Sequence, residues 1–221
     1  MCFSPEADLV TGIVVSGVGI DALRRAPDRR YLPLAAIPLL LGFHQTIEAF
    51  AWWGMRGDLP RQVGETATWL YLAIALVVVP ALVPVAFHSA EADRGRRARL
   101  VPFVVLGAAV AAALLPGLLN GGGGGEMACR YISYDAGVGY AGYVLPFYVA
   151  ATCAPMLLSG SRRLVLFGTA NLIVVGLLGW LLARGVISLW CVWAAVSSVV
   201  IDLEVRAASR VRAGERVMAP G

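Results

Sequence analysis

Residues 72–87 read LAIALVVVPALVPVAF, a run with no charge and no hydrogen-bonding side chain. A strand of a membrane barrel alternates apolar and polar positions over about 10 residues, and this run does not alternate. A backbone in hydrocarbon must satisfy its own hydrogen bonds, so the run belongs to a helix. Its apolar character extends over residues 66–88, enough for the roughly 20 residues that cross a bilayer.

Six further runs share this character: 8–24, 32–54, 100–119, 138–158, 164–183 and 186–204. The connections are short and leave little chain for a soluble domain. The whole chain is 59% hydrophobic and 14% charged, against about 25% charged in soluble domains. The expected fold class is therefore all-α: a polytopic integral membrane protein with seven transmembrane helices. Residues 1–205 form a single seven-helix domain and residues 206–221 a short basic tail. The first run has no basic residue before it, and Arg24 and Arg25 follow it. That polarity is the reverse of a secretory signal, so the run is read as a retained helix.

Arginine sets the expected orientation. The chain has no lysine, and all 18 basic residues are arginine. Fourteen lie in the first, third and fifth connections and in the tail, while Arg56, Arg61, Arg130 and Arg184 lie on the other side. Cytoplasmic loops carry the basic excess, which places the N-terminus outside and the C-terminus inside, in the cytoplasmic (inner) membrane. The same clusters explain the net charge of +4. They are short juxtamembrane segments with almost no interleaved aromatics, so the expected partners are the bilayer and anionic lipid headgroups at the inner face. Nucleic acid is not expected. A second copy of the chain is an open partner.

Small residues mark candidate packing faces: Gly12, Ser16 and Gly17 in the first run, Gly168, Gly176 and Gly179 in the sixth. Prolines interrupt the second, third and fifth helices at Pro38, Pro80, Pro84, Pro146 and Pro155. Each removes a backbone donor and tends to kink its helix. Residues 120–139, NGGGGGEMACRYISYDAGVG, form the longest outer connection. The five glycines are followed by no Lys-Ser/Thr, which excludes a phosphate loop and leaves a linker. The part around 126–135 is expected to cap the outer mouth of the bundle.

The stretch GFHQTIEAFAWWG, residues 42–54, puts His44, Gln45 and Glu48 inside an apolar run. His44 and Glu48 are spaced i, i+4 and share a face, with Trp52 one turn on. At 1.5 Å per residue they stand roughly 20 and 25 Å from the inner end of the helix. A carboxylate at the bilayer centre costs about 2.5–3.5 kcal/mol on insertion scales, so it faces the interior, is protonated or has a partner. Glu48 is the one carboxylate this segmentation places well inside a helix. Asp21 and Asp202 sit at inner ends beside arginines and are expected to pair with them.

Three readings follow. One is a small-ligand or ion-binding site, for transport or sensing, in the outer half between the second, fifth, sixth and seventh helices. Glu48 is then the charged group, His44 its proton-sharing partner, and Gln45, Trp52, Asn171 and Trp190 the lining. Another is a metal-dependent or cysteine-dependent enzyme using His44, Glu48 and Cys2 or Cys191. One His, one Glu and one or two Cys can hold a zinc ion, although no CxxC or HxxxH supports it. The last is plain helix packing, with the polar side chains bonded to neighbours such as Asn171, Ser197 or Ser198. Cys2 and Cys129 fall on the oxidising outer side and are the favoured disulfide, with Cys129–Cys191 and four free cysteines as the alternatives. Retinal is excluded as a cofactor because the chain has no lysine for a Schiff base. A haem between His44 and His88 is excluded by their difference in depth, roughly 20 Å.

Three stretches, MCFSPEADLVTG (1–12), PLLLGFHQTIEAFAWWG (38–54) and SLWCVWAAVSSVVI (188–201), together resemble a family of bacterial membrane proteins of this length with a domain of unknown function. Its members begin Met-Cys-Phe-Ser and carry a Gln-x-x-Glu-Gly-x-x-Trp-like segment in the second helix. Here that segment maps to Gln45, Glu48, Ala49 and Trp52, with alanine at 49 in place of the usual glycine. The late Trp-Cys pair maps to Trp190 and Cys191. The resemblance implies seven helices and points to the same residues, and it brings no established activity.

Overall fold

The computed structural model describes residues 4–120, 125–128, 131–134, 139–181 and 187–218. Each of the seven apolar runs is a helix. The first is α1 (Pro5–Arg24), whose Ser4 hydroxyl accepts from the Ala7 backbone N–H while Pro5 occupies the first turn. A short 3₁₀ turn (Arg29–Tyr31) capped by Asp28 leads into α2 (Leu32–Arg56). Gly57, at φ 82°, ends α2 in the left-handed conformation that glycine adopts without strain. The third run holds α3 (Arg61–Ala73) and α4 (Val79–Ala90), joined without a break by a π turn at Ile74–Val78. Then come α5 (Arg94–Leu119), capped by Asp93, α6 (Ala141–Leu157), α7 (Arg162–Leu181) and α8 (Ile187–Met218).

Between α5 and α6 lie the only strands among the described residues. β1 (Gly125–Ala128) and β2 (Tyr131–Tyr134) pair antiparallel, with Gly125 opposite Tyr134 and Ala128 opposite Tyr131. The segment expected to cap the outer mouth thus contains a pair of strands, because Met127, Tyr131, Ile132 and Tyr134 favour a pleated backbone.

Three helices, Arg29–Arg56, Arg61–Ala90 and Arg94–Leu119, are long and apolar enough to cross a membrane, and Gly142–Leu157 is a shorter apolar helix. Large apolar side chains face outward along the rods, among them Val14, Phe43, Val105, Phe147 and Ile173. Soluble monomers rarely expose such surface on this scale. These features mark a membrane protein.

Helix α2 is the central rod and packs against α1, α3, α4 and α8. Its contact with α1 is made by small residues. A methyl group built on Gly12 would lie 2.8 Å from the Gly42 carbonyl oxygen, one on Gly42 would lie 2.5 Å from the Ser16 amide nitrogen, and Gly19 abuts Leu39. Rising numbers on α1 meet falling numbers on α2, so the two run antiparallel. Gly168 is likewise pressed against Met156, whereas Gly17 and Gly176 face open space; Gly179 lies outside the described side chains.

The arginine-rich connections gather at one end. Arg206 on α8 reaches Asp21 at 2.8 Å and Asp202 at 2.7 Å, and Arg25 reaches Asp21 at 2.7 Å. Arg212 pairs with Asp28, and the Ser209 hydroxyl donates to the Arg25 carbonyl. Ser89 donates to the Arg30 carbonyl at 2.9 Å. The basic segment after residue 205 is thus the continuation of α8, clamped to the α1–α2 turn. Arg206 and Arg212 are held by carboxylates from outside α8, Asp21 of α1 and Asp28 of the α1–α2 turn.

Candidate functional site

Polar side chains inside the bundle form two groups. One lies on the α2 stripe singled out by the sequence. His44, Gln45, Glu48 and Trp52 are all buried, and so are Thr68 and Tyr71 on α3. His44 Nε2 donates to the Tyr71 backbone carbonyl at 3.1 Å, which fixes the proton on that nitrogen. The imidazole also stacks on the Tyr71 ring, with centroids 4.0 Å apart and planes 16° from parallel. The Arg56 guanidinium lies 5.6 Å over the Trp52 ring, one turn along α2.

A second carboxylate belongs to this layer. Asp8 on α1 is only 2% exposed. One turn beyond Gly12, the antiparallel register sets it level with about residues 46–50 of α2. Sequence reading passed over it because it stands at the edge of the first apolar run. The signal was there: Asp8, Gly12, Val15 and Gly19 are all buried, spaced like one face of a helix.

The other group surrounds a cavity of about 270 Å³ between α2, α4, α6, α7 and α8. Apolar side chains such as Ile37, Leu41, Val83 and Met156 form most of its wall. One side is polar. The Asn171 amide donates to Cys153 Sγ at 3.2 Å and accepts from the Trp193 indole N–H. The Thr152 hydroxyl donates to the Tyr148 carbonyl at 2.9 Å. Ser197 also lines the cavity but bonds back to the Trp193 carbonyl of its own helix, at 2.7 Å. No Asp, Glu, Arg or His is among the lining residues. Of the residues expected to form the site, Asn171 lines this cavity, and His44, Gln45, Glu48 and Trp52 do not.

The π turn joins the two groups. In its wider register Val79 N–H bonds to the Ile74 carbonyl, five residues back. The next carbonyl, Ala75, would need Pro80, which has no N–H. A side chain from another helix supplies the donor: the Tyr148 hydroxyl, on the cavity wall, bonds to Ala75 O at 2.9 Å. His44 takes the Tyr71 carbonyl just before the turn. The change of register thus binds α6, and α2 binds the helix just ahead of it.

Among the described residues, no three of His, Cys, Asp and Glu come together as metal ligands. Cys153 is a free, buried thiol. Cys2 and Cys129, the expected disulfide, lie outside the described residues, as do the side chains of Trp190 and Cys191, whose backbone belongs to α8.

No curated protein and no solved structure matches the chain. Residues 1–216 match the model of a family of unknown function, DUF6629, and the chain belongs to that family.

Proposed function

We propose that this is a seven-span protein of the bacterial cytoplasmic membrane, N-terminus out and C-terminus in, that binds a small neutral ligand for sensing or transport. The reading rests on the cavity. Its wall is apolar apart from one cluster of hydrogen-bonding groups, the usual composition of a small-molecule site. The Asn171 amide has two donors and two acceptor lone pairs, and its bonds to Cys153 and Trp193 use one of each. A ligand hydroxyl, carbonyl or amide fits the remainder. An ion does not fit, because a bare charge in such surroundings is strongly disfavoured without a partner. His44 supports the site from outside it, through Tyr71 and the adjoining π turn that Tyr148 holds, and the His44–Glu48 stripe is not its lining.

Cyclohexanol, an apolar ring with one hydroxyl, is a suitable probe. The chain is purified in mild detergent with Cys2, Cys129 and Cys191 changed to serine, and alkylation of Cys153 is followed by mass spectrometry. Cyclohexanol slows the reaction, and Asn171→Leu removes that protection. Equal protection with and without the Asn171 amide would overturn the reading.

A further inference from the structure

We propose that a second cleft, at the arginine-rich end, binds the phosphate group of an anionic phospholipid, with Arg162 and Arg163 as the ligating side chains. The cleft holds about 470 Å³ between the α4–α5 turn, the α6–α7 turn and α8. Its two acids are already engaged. Glu91 pairs with Arg96 at 3.2 Å and accepts from the Gly160 and Asp93 backbone N–H groups at 3.2 and 3.0 Å. Glu204 accepts from the Ser161 hydroxyl at 2.9 Å. Arg162 and Arg163 line the same cleft, are exposed, and have no ion-pair partner among the described residues.

The α6–α7 turn holds these arginines in place. A methyl group on Gly160 would lie 2.8 Å from Arg96 Nη2, so the turn rests directly on the Glu91–Arg96 pair. The next residues, Ser161 to Arg163, are thereby set at the mouth of the cleft. Two neighbouring guanidinium forks suit a phosphate, which each can grip with paired N–H donors.

The floor identifies the source of that phosphate. Leu34, Phe87, Leu100 and Leu164 close the cleft from below, all of them buried. Inorganic phosphate has no use for an apolar floor, whereas the glycerol and first acyl carbons of a phospholipid do. The site therefore differs from the diffuse attraction that any basic juxtamembrane loop exerts on a charged surface.

The test is native mass spectrometry of the full chain in detergent, titrated with dioleoylphosphatidylglycerol. Arg162→Ala with Arg163→Ala weakens the first bound lipid about tenfold. Arg94→Ala with Arg99→Ala removes the same charge from the same end outside the cleft and weakens it less than about twofold. Glycerol 3-phosphate and inorganic phosphate do not displace the lipid. Equal weakening by both pairs would reduce the site to diffuse attraction, and displacement by a soluble phosphate would assign it to a free ligand; either overturns the proposal. Should the alanine pair fail to fold, Arg162→Lys with Arg163→Lys keeps the charge and loses the forks. It then weakens binding about threefold, and unchanged binding would overturn the proposal.

Discussion

His44 and Tyr148 stand on different helices, yet each donates to a backbone carbonyl of the third apolar run: His44 to Tyr71, three residues before the π turn, at 3.1 Å, and Tyr148 to Ala75, inside the turn, at 2.9 Å. The turn exists beside Pro80, and the tyrosine replaces the donor that the proline lacks. Tyr148→Phe therefore leaves a partly buried carbonyl without that donor and lowers stability by about 1 kcal/mol. Pro80→Ala restores an N–H at that position, so the same tyrosine change costs less in its background. Equilibrium unfolding of both single variants and the double variant in mixed micelles measures the difference. A cost for Tyr148→Phe that is independent of residue 80 would disprove this account of the turn.

The α1–α2 contact gives a sharper contrast. Gly12 and Gly42 touch backbone on the facing helix, where a methyl group has no room, while Gly17 looks into open space. Gly12→Ala and Gly42→Ala each destabilise by about 1–3 kcal/mol, as overpacking does. Gly17→Ala is neutral or slightly stabilising, since alanine is the better helix former. Thermal unfolding of the three variants in one detergent decides the matter.

The arginine-rich end carries a pH dependence. Burial pushes the Glu91 carboxyl up, but the Arg96 guanidinium and the Asp93 and Gly160 N–H groups outweigh it, and the group is held below the usual carboxylate range. A lowered folded-state pKa means that the ionised form stabilises the fold above the unfolded value, about 4.3. That stabilisation fades as pH falls through the lower folded-state value. The thermal midpoint of wild type should thus exceed that of Glu91→Gln at pH 7, with the gap closing below about pH 4. A gap as wide at pH 3 as at pH 7 would show that the carboxylate charge is not its cause.

The seven helices were legible because hydrocarbon leaves the backbone few alternatives: apolar runs such as 72–87 and 100–119 are helical in the structure. The pairing of Asp21 and Asp202 with basic partners was also legible, from their spacing to Arg25 and Arg206. The π turn was not, since Pro80 announces a disturbed helix but not which register resolves it. Nor was the separation of Asn171 from His44 and Glu48. Depth along a helix follows from residue number, but the face a residue presents depends on how neighbouring rods pack, and Asn171 turns toward Cys153 and Trp193. Asp8 escaped because one edge residue of an apolar run carries little weight until the fold buries it.

His44 tests whether the two polar groups communicate. It bonds to Tyr71, three residues before the π turn, and does not line the cavity. His44→Ala removes one donor from the Tyr71 carbonyl, just ahead of the turn that Tyr148 holds, and so loosens that end of the turn. Cys153 should then alkylate faster, although nothing in its immediate surroundings has changed. An unaltered rate in a folded variant would separate the two groups.

The most direct test of the central claim, that the Asn171 cavity admits a small neutral molecule, is the alkylation rate of Cys153 by methyl methanethiosulfonate. It is measured in the chain whose other three cysteines are serine, with and without Ala194→Phe. Ala194 lines the cavity, so a phenyl ring there fills it. Cys153 should react readily with Ala194 present and about tenfold more slowly with phenylalanine, by loss of access rather than of reactivity. Equal rates in two folded proteins would mean that the reagent reaches the thiol by another route and that the cavity is not a binding site.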